Sequence, residues 1–282
     1  MIIKGFLIAI FIFATAFAAS EESVCIKKAN QALRVDEYEL AIATLDSCQK
    51  DSSTWRLRAI AYHRLFIADS AAFYFERAMS SGAIDDAMLI NYSEVLLWKK
   101  EFKKAGDILE KVKDKKSIYY RKIYALRLEM IGKFDEAIAF YDSMIATEKQ
   151  PYNSMVRKAE VLSWQKKFSE AIDLFTKVAE NNNAPKSLRM YALIRRAEVK
   201  AWQKESSVAL NELDKVISME LNPASAQRPI KDRIIEALKL KGTILEWNGK
   251  YKEAKEAYKN MLLVDPQNKQ APLLLQKLLW VK

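Results

Sequence analysis

AEVLSWQKKFSEAIDLF, residues 159–175, holds the end of one helix, a turn and the start of another. Ala159, Val161, Leu162 and Trp164 belong to an amphipathic helix, and Lys166 and Lys167 are polar turn residues. Phe168, Ala171, Ile172 and Phe175 follow at spacings of three and four, which is one face of a second helix. Ala159 and Ala171 are small enough to let two antiparallel helices approach closely. Phe168 and Phe175 are placed to fill the gaps on either side. One such hairpin cannot bury its own apolar face, so more are expected.

They recur. Taking the residue that opens the second helix as a landmark gives Tyr38, Ala68, Phe102, Phe134, Phe168, Ser206 and Tyr251. Three residues after each stands alanine: Ala41, Ala71, Ala105, Ala137, Ala171, Ala209 and Ala254. Four further on is a large apolar residue: Leu45, Phe75, Leu109, Tyr141, Phe175, Leu213 and Tyr258. Nine before each landmark is a small one: Ala29, Ala59, Ser93, Ala125, Ala159, Ala197 and Gly242. The intervals between landmarks are 30, 34, 32, 34, 38 and 45 residues.

This pattern resembles the tetratricopeptide repeat, a helix–turn–helix of about 34 residues. The resemblance covers roughly residues 23–264. It implies an all-α, right-handed solenoid of about seven hairpins with a C-terminal capping helix. The repeats are expected near 23–50, 53–82, 84–115, 117–150, 152–184, 186–220 and 230–264, and the cap at 268–282. Two departures stand out. Arg34 and Arg64 occupy a position where later copies carry Trp or Met, and the last interval is too long. Its extra residues include Leu221–Asp232, read either as a loop or as a turn before a lengthened helix. Gly132 suits a left-handed helix end, and Ser187 is a candidate cap after Pro185.

Composition agrees with helices: half of the 282 residues are hydrophobic, with only six Gly and six Pro. The N-terminus differs from the rest. Lys4, an apolar run and the small residues Ala16-Phe17-Ala18 form the pattern of a secretory signal peptide, with cleavage expected at about residues 18–20. The alternative is an uncleaved anchor, but Gly5–Ala19 spans only 15 residues, short of the roughly 20 needed to cross a bilayer. Export to the periplasm or envelope is the expectation, with no stable transmembrane segment after cleavage.

Cys25 and Cys48 lie at nearly equal distances from the first turn, so an antiparallel hairpin sets them side by side. In an exported chain that reads as a disulfide closing the hairpin; two buried free thiols are the alternative.

No residues suggest catalysis or a cofactor. His63 is the only histidine, there is no Gly-rich phosphate loop, and the carboxylates are scattered at helix positions expected to face solvent. The net charge of +10 comes from 46 basic and 36 acidic residues mixed along the chain. That is a solvated, mildly basic surface, or one meeting an acidic partner. Nucleic acid is not expected, since no basic helix is interleaved with aromatics.

Four residues before the landmark stand Trp98, Met130, Trp164, Trp202 and Trp247. These rings either seal adjacent repeats or line a groove. The family resemblance implies a concave face built from first-helix residues, which would include Trp98, Tyr119, Arg157, Glu160, Trp164, Tyr191, Arg195, Glu198, Trp202 and Trp247. Arg157 and Arg195 sit three residues before Glu160 and Glu198, close enough to pair along a helix. The resemblance to exported envelope members implies a non-catalytic scaffold for a protein partner. Some of those members serve polysaccharide export, which makes an acidic polysaccharide or peptidoglycan the alternative ligand. Because no barrel follows Lys282 here, any pore is expected to be a separate chain.

Overall fold

A computed structural model describes residues 24–82 and 84–280. The expected signal peptide lies outside the described residues. The chain divides into two compact units, the first ending at Lys133 and the second starting at Phe134. Unit one contains α1 (24–34), α2 (Tyr38–Asp46), α3 (Ser52–Arg64), α4 (Ala68–Ser80), α5 (Asp86–Trp98), α6 (Phe102–Leu109) and α7 (Ile118–Met130). Unit two contains α8 (Phe134–Thr147), α9 (Tyr152–Trp164), α10 (Phe168–Ala179), α11 (Lys186–Trp202) and α12 (Ser206–Ser218). It continues with α13 (Arg228–Trp247), α14 (Tyr251–Val264) and α15 (Gln270–Lys277). Among the described residues there is no strand.

Within each unit, consecutive helices pack as antiparallel hairpins and the hairpins stack, α3 on α5 on α7 and α9 on α11 on α13. The three sequence columns explain the packing. Every alanine three residues after a landmark is fully buried, and so is each small residue nine before it from Ala29 to Ala197. The large residues Leu45, Phe75, Leu109, Tyr141, Phe175, Leu213 and Tyr258 are buried beside them. Small residues let the helix axes close up, and the large ones then fill the interhelical space.

The turns are equally regular. All seven second helices begin at the landmark, and the residue two before it has a left-handed backbone: Asp36, Phe66, Lys100, Gly132, Lys166, Lys204 and Gly249. The next amide reaches back to the carbonyl five residues earlier, as in Lys167 N–H to Leu162 at 2.9 Å and Glu101 N–H to Leu96 at 2.8 Å. This is the Schellman closure, which satisfies carbonyls that a helix end leaves bare.

The long last interval is a 3-10 turn at Pro223–Ser225 followed by α13, 20 residues long against 13 for α9. Of the two forms expected there, the structure takes the lengthened helix. Ser187 is not a cap: α11 begins at Lys186 with Pro185 in the N-cap position, so Ser187 already lies inside the first turn. Asp51 and Asp85 do cap, accepting the Thr54 and Met88 amides at 2.8 Å each.

Cys25 and Cys48 form a disulfide, with Cα atoms 5.9 Å apart. It joins α1 to the end of α2, where the buried cluster is small: Ala29, Leu45 and Cys48, with Cys25 and Leu57 against them.

Candidate functional site

First-helix positions four, eight, eleven and fifteen residues before a landmark are spaced by four, three and four, so they share one helix face. In unit two this face carries a connected polar network. Arg157 Nη1 of α9 donates to Glu160 Oε2 at 2.7 Å. The other oxygen of Glu160 accepts the Tyr191 hydroxyl of α11 at 2.5 Å. Arg195, one turn along α11, donates to Glu198 Oε2 at 2.6 Å and also to Glu236 of α13. Arg233 Nη1 closes the set on Glu236 Oε2 at 2.6 Å. The Tyr191 ring faces two guanidinium groups, with Arg195 at 5.0 Å and Arg233 at 4.3 Å from its centroid.

The set balances three guanidinium groups against three carboxylates. Burial pushes the Tyr191 hydroxyl well above the usual phenol range, with Glu160 adding to the effect, so Tyr191 stays a neutral donor. Burial also raises the Glu198 carboxyl, and Arg195 opposes that shift. For Arg195 burial alone disfavours the charge, but the surrounding carboxylates outweigh it and keep the group protonated.

The tryptophans flank this network. Trp164 touches Phe134 at 6.1 Å between ring centroids, and Trp202 touches Phe168 at 6.4 Å. Each pairs with the landmark ring of the preceding hairpin. Yet Trp164 remains 47% exposed, Trp202 43% and Trp247 61%. For Trp164 and Trp202, one part of the ring seals a junction and the rest meets solvent. Trp280, after α15, sits against Tyr251 at 4.9 Å and takes the same place at the last hairpin.

In unit one the same positions behave differently. Trp98 is stacked on His63, at 4.9 Å and nearly parallel, and Phe66 leans on it. His63 is buried and meets Glu94 through Nε2 at 2.8 Å. The histidine is thus a packing and hydrogen-bonding residue. Tyr119 is 69% exposed and lines a cleft of about 410 Å³ with Arg64, Asp86, Asn91 and Asp114.

Within unit two, Arg157, Glu160, Tyr191, Arg195 and Glu198 therefore come together, with Trp164 and Trp202 at their ends. Two members were not among the expected site residues. Glu236 shares Tyr191's column, a signal that was available; Arg233 falls in none of the columns and carried none. The expectation that carboxylates face solvent is corrected at Glu129, Glu160 and Glu212, which are buried. Glu212 is held by Arg196, with two contacts of 3.1 Å. Among the described residues no cluster could hold a metal ion, and no helix is long and apolar enough to cross a membrane.

A family model described as "Anaphase-promoting complex, cyclosome, subunit 3" matches residues 64–144. Among solved structures, a tetratricopeptide repeat protein from Parabacteroides merdae ATCC 43184 is 17% identical with a TM-score of 0.60, over 77% of this chain and 84% of that one. The C-terminal part of a TPR repeat-containing protein from Cytophaga hutchinsonii is 21% identical with a TM-score of 0.52, over 89% of this chain and 99% of that one. The APC/C hetero-tetramer Cut9–Hcn1 is 12% identical with a TM-score of 0.55 over 94% of this chain, which spans 48% of its counterpart. No curated protein matches in sequence. The chain has the tetratricopeptide-repeat fold.

Proposed function

We propose that this protein is a non-catalytic interaction scaffold of the periplasm or cell envelope, holding a segment of a protein partner along the first helices of unit two. The observation that carries this is the half-exposed row Trp164, Trp202 and Trp247 beside the Arg157–Glu160–Tyr191–Arg195–Glu236 network. Exposed aromatic anchors next to oriented polar groups are what a short segment needs for affinity and register. The Cys25–Cys48 disulfide supports an oxidising compartment.

The network is charge-balanced, which favours a peptide over a polyanionic glycan: an anion would have to displace Glu160, Glu198 or Glu236 from its arginine. The test places the photo-crosslinker p-benzoyl-phenylalanine at position 202 in cells of the source organism. One discrete protein adduct is expected, lost when Trp164→Ala is added while the thermal transition is retained. Retention on an acidic-polysaccharide matrix, abolished by the same substitution and by salt, with no protein adduct, overturns the proposal in favour of glycan binding.

A further inference from the structure

The two units treat one repeat position in opposite ways. Tyr119 and Tyr191 both stand fifteen residues before a landmark, Phe134 and Ser206 respectively. Tyr191 is covered by the guanidinium groups of Arg195 and Arg233, and its hydroxyl is bonded to Glu160. At Tyr119 these partners are missing within unit one. The residue four positions along the helix is Ile123 rather than arginine, and Glu94, the counterpart of Glu160, is turned to His63. Tyr119 makes no hydrogen bond or cation contact among the described residues, and its ring is open to the cleft.

Backbone amides hold two carboxylates of the cleft around it. Asp86, at the start of α5, accepts the amides of Lys113 at 3.0 Å and Asp114 at 2.8 Å. Asp114 accepts those of Lys116 at 3.0 Å and Ser117 at 3.2 Å. Both carboxylates are thereby fixed by backbone, and each retains lone pairs for a further donor. The two amide bonds hold the Asp86 carboxyl below the usual range, so it stays ionised. Arg64 also lines the cleft, so the lining sets two carboxylates against one guanidinium, with the Lys113 ammonium acting on Asp86 from beyond the lining.

An exposed aromatic face beside an excess of fixed negative charge selects a cation. We infer that the unit-one cleft is a docking pocket for a basic side chain, arginine above all, of a protein partner. The guanidinium stacks on Tyr119 as Arg233 does on Tyr191 and donates to Asp86 and Asp114, while Asn91 is at hand for the segment's main chain. This rests on the proposed scaffold role and names a chemistry its partner must carry.

The test titrates the full oxidised chain, with 13C-labelled tyrosine, with Ac-Gly-Arg-Gly-NH2. The peptides Ac-Gly-Leu-Gly-NH2 and Ac-Gly-Glu-Gly-NH2 serve as controls. The Tyr119 ring resonances, assigned with Tyr119→Phe, are expected to shift with the arginine peptide alone. Saturation transfer to that peptide should persist in Tyr119→Phe, and its affinity should fall about threefold to fivefold in Tyr119→Ala. Arg64→Ala separates the signs of charge: it should strengthen arginine binding about twofold by removing a like charge. Preferential binding of the glutamate peptide, abolished in Arg64→Ala, overturns the inference, as does the absence of any Tyr119 shift. Neither result touches the crosslinking at position 202, so failure of the pocket is distinct from failure of the scaffold.

Discussion

Gly242 and Tyr258 occupy adjoining space so closely that a Cβ on Gly242 would lie 2.2 Å from Cε1 of the tyrosine ring. The six other hairpins carry Ala or Ser at the position of Gly242. Three of them oppose it with the smaller Leu45, Leu109 or Leu213, across from Ala29, Ser93 and Ala197 respectively. Gly242→Ala should therefore destabilise unit two despite alanine's better helix propensity. Overpacking costs typically ~1–3 kcal/mol and the propensity gain offsets ~1 kcal/mol, so the net loss should be up to ~2 kcal/mol by urea denaturation. Adding Tyr258→Leu should recover most of it, although the Tyr258 hydroxyl bond to Glu246 is then lost. If the two substitutions are instead additive, the clash is not the cause.

Five of the seven hairpin turns place a side chain in the left-handed region where glycine is at ease. Lys166 and Lys204 have φ of 60° and 67°, while Gly132 and Gly249 solve the same problem without a Cβ. A left-handed non-glycine residue costs roughly 1–2 kcal/mol, and glycine's extra freedom in the unfolded chain returns about 0.5–1 kcal/mol of that. Lys166→Gly and Lys204→Gly should each stabilise by up to ~1 kcal/mol, and Gly249→Ala should destabilise by a similar amount. Thermal melts of the three variants check the sign directly.

Glu198 supplies a pH dependence. Burial raises its carboxyl above the ordinary 4.5. The folded state then binds a proton more readily than the unfolded state. The associated stability is fully present below the unfolded pKa and is lost as pH rises through the folded one. Glu198→Gln removes this titration. The difference in melting temperature, wild type minus variant, should fall as pH climbs from 4.5 through the raised folded value, then level off. A difference that grows over that interval would show the Arg195 pair, not burial, in control.

The disulfide should act locally. Cys25 and Cys48 are 23 residues apart in sequence, for which loop-closure entropy gives ~3 kcal/mol. The buried cluster beneath them is small, so the bond is a main support of the α1–α2 hairpin. Reduction, or Cys25→Ser with Cys48→Ser, should raise amide hydrogen exchange across residues 26–46 well before unit two responds. Uniform loss of protection along the chain would contradict that.

The hairpins were legible in the sequence because everything that makes them is local. The alanine at position 171 and the phenylalanines at 168 and 175 lie within one turn or two of each other, and α-helical periodicity turns spacing into a shared face. Pairing of Cys25 with Cys48 also follows from distance along a hairpin. The capping role expected of Ser187 failed because Pro185 already takes the N-cap position, a competition between neighbours that residue type alone does not settle.

What lies between hairpins was decided only by tertiary structure. Whether a tryptophan is buried or open depends on the ring opposite. Trp98 meets His63 and Phe66 and is half-buried, whereas Trp164 and Trp202 meet one phenylalanine each and stay half open. Arg233 joins Tyr191 and Glu236 because the lengthened α13 carries it back over α11, a consequence of stacking that no single repeat encodes. By itself the sequence determined the repeating helical hairpin, through contacts between residues a few positions apart. Which of its polar and aromatic side chains are spent on each other, as at Tyr191, and which remain open, as at Tyr119, was set by packing between hairpins distant along the chain.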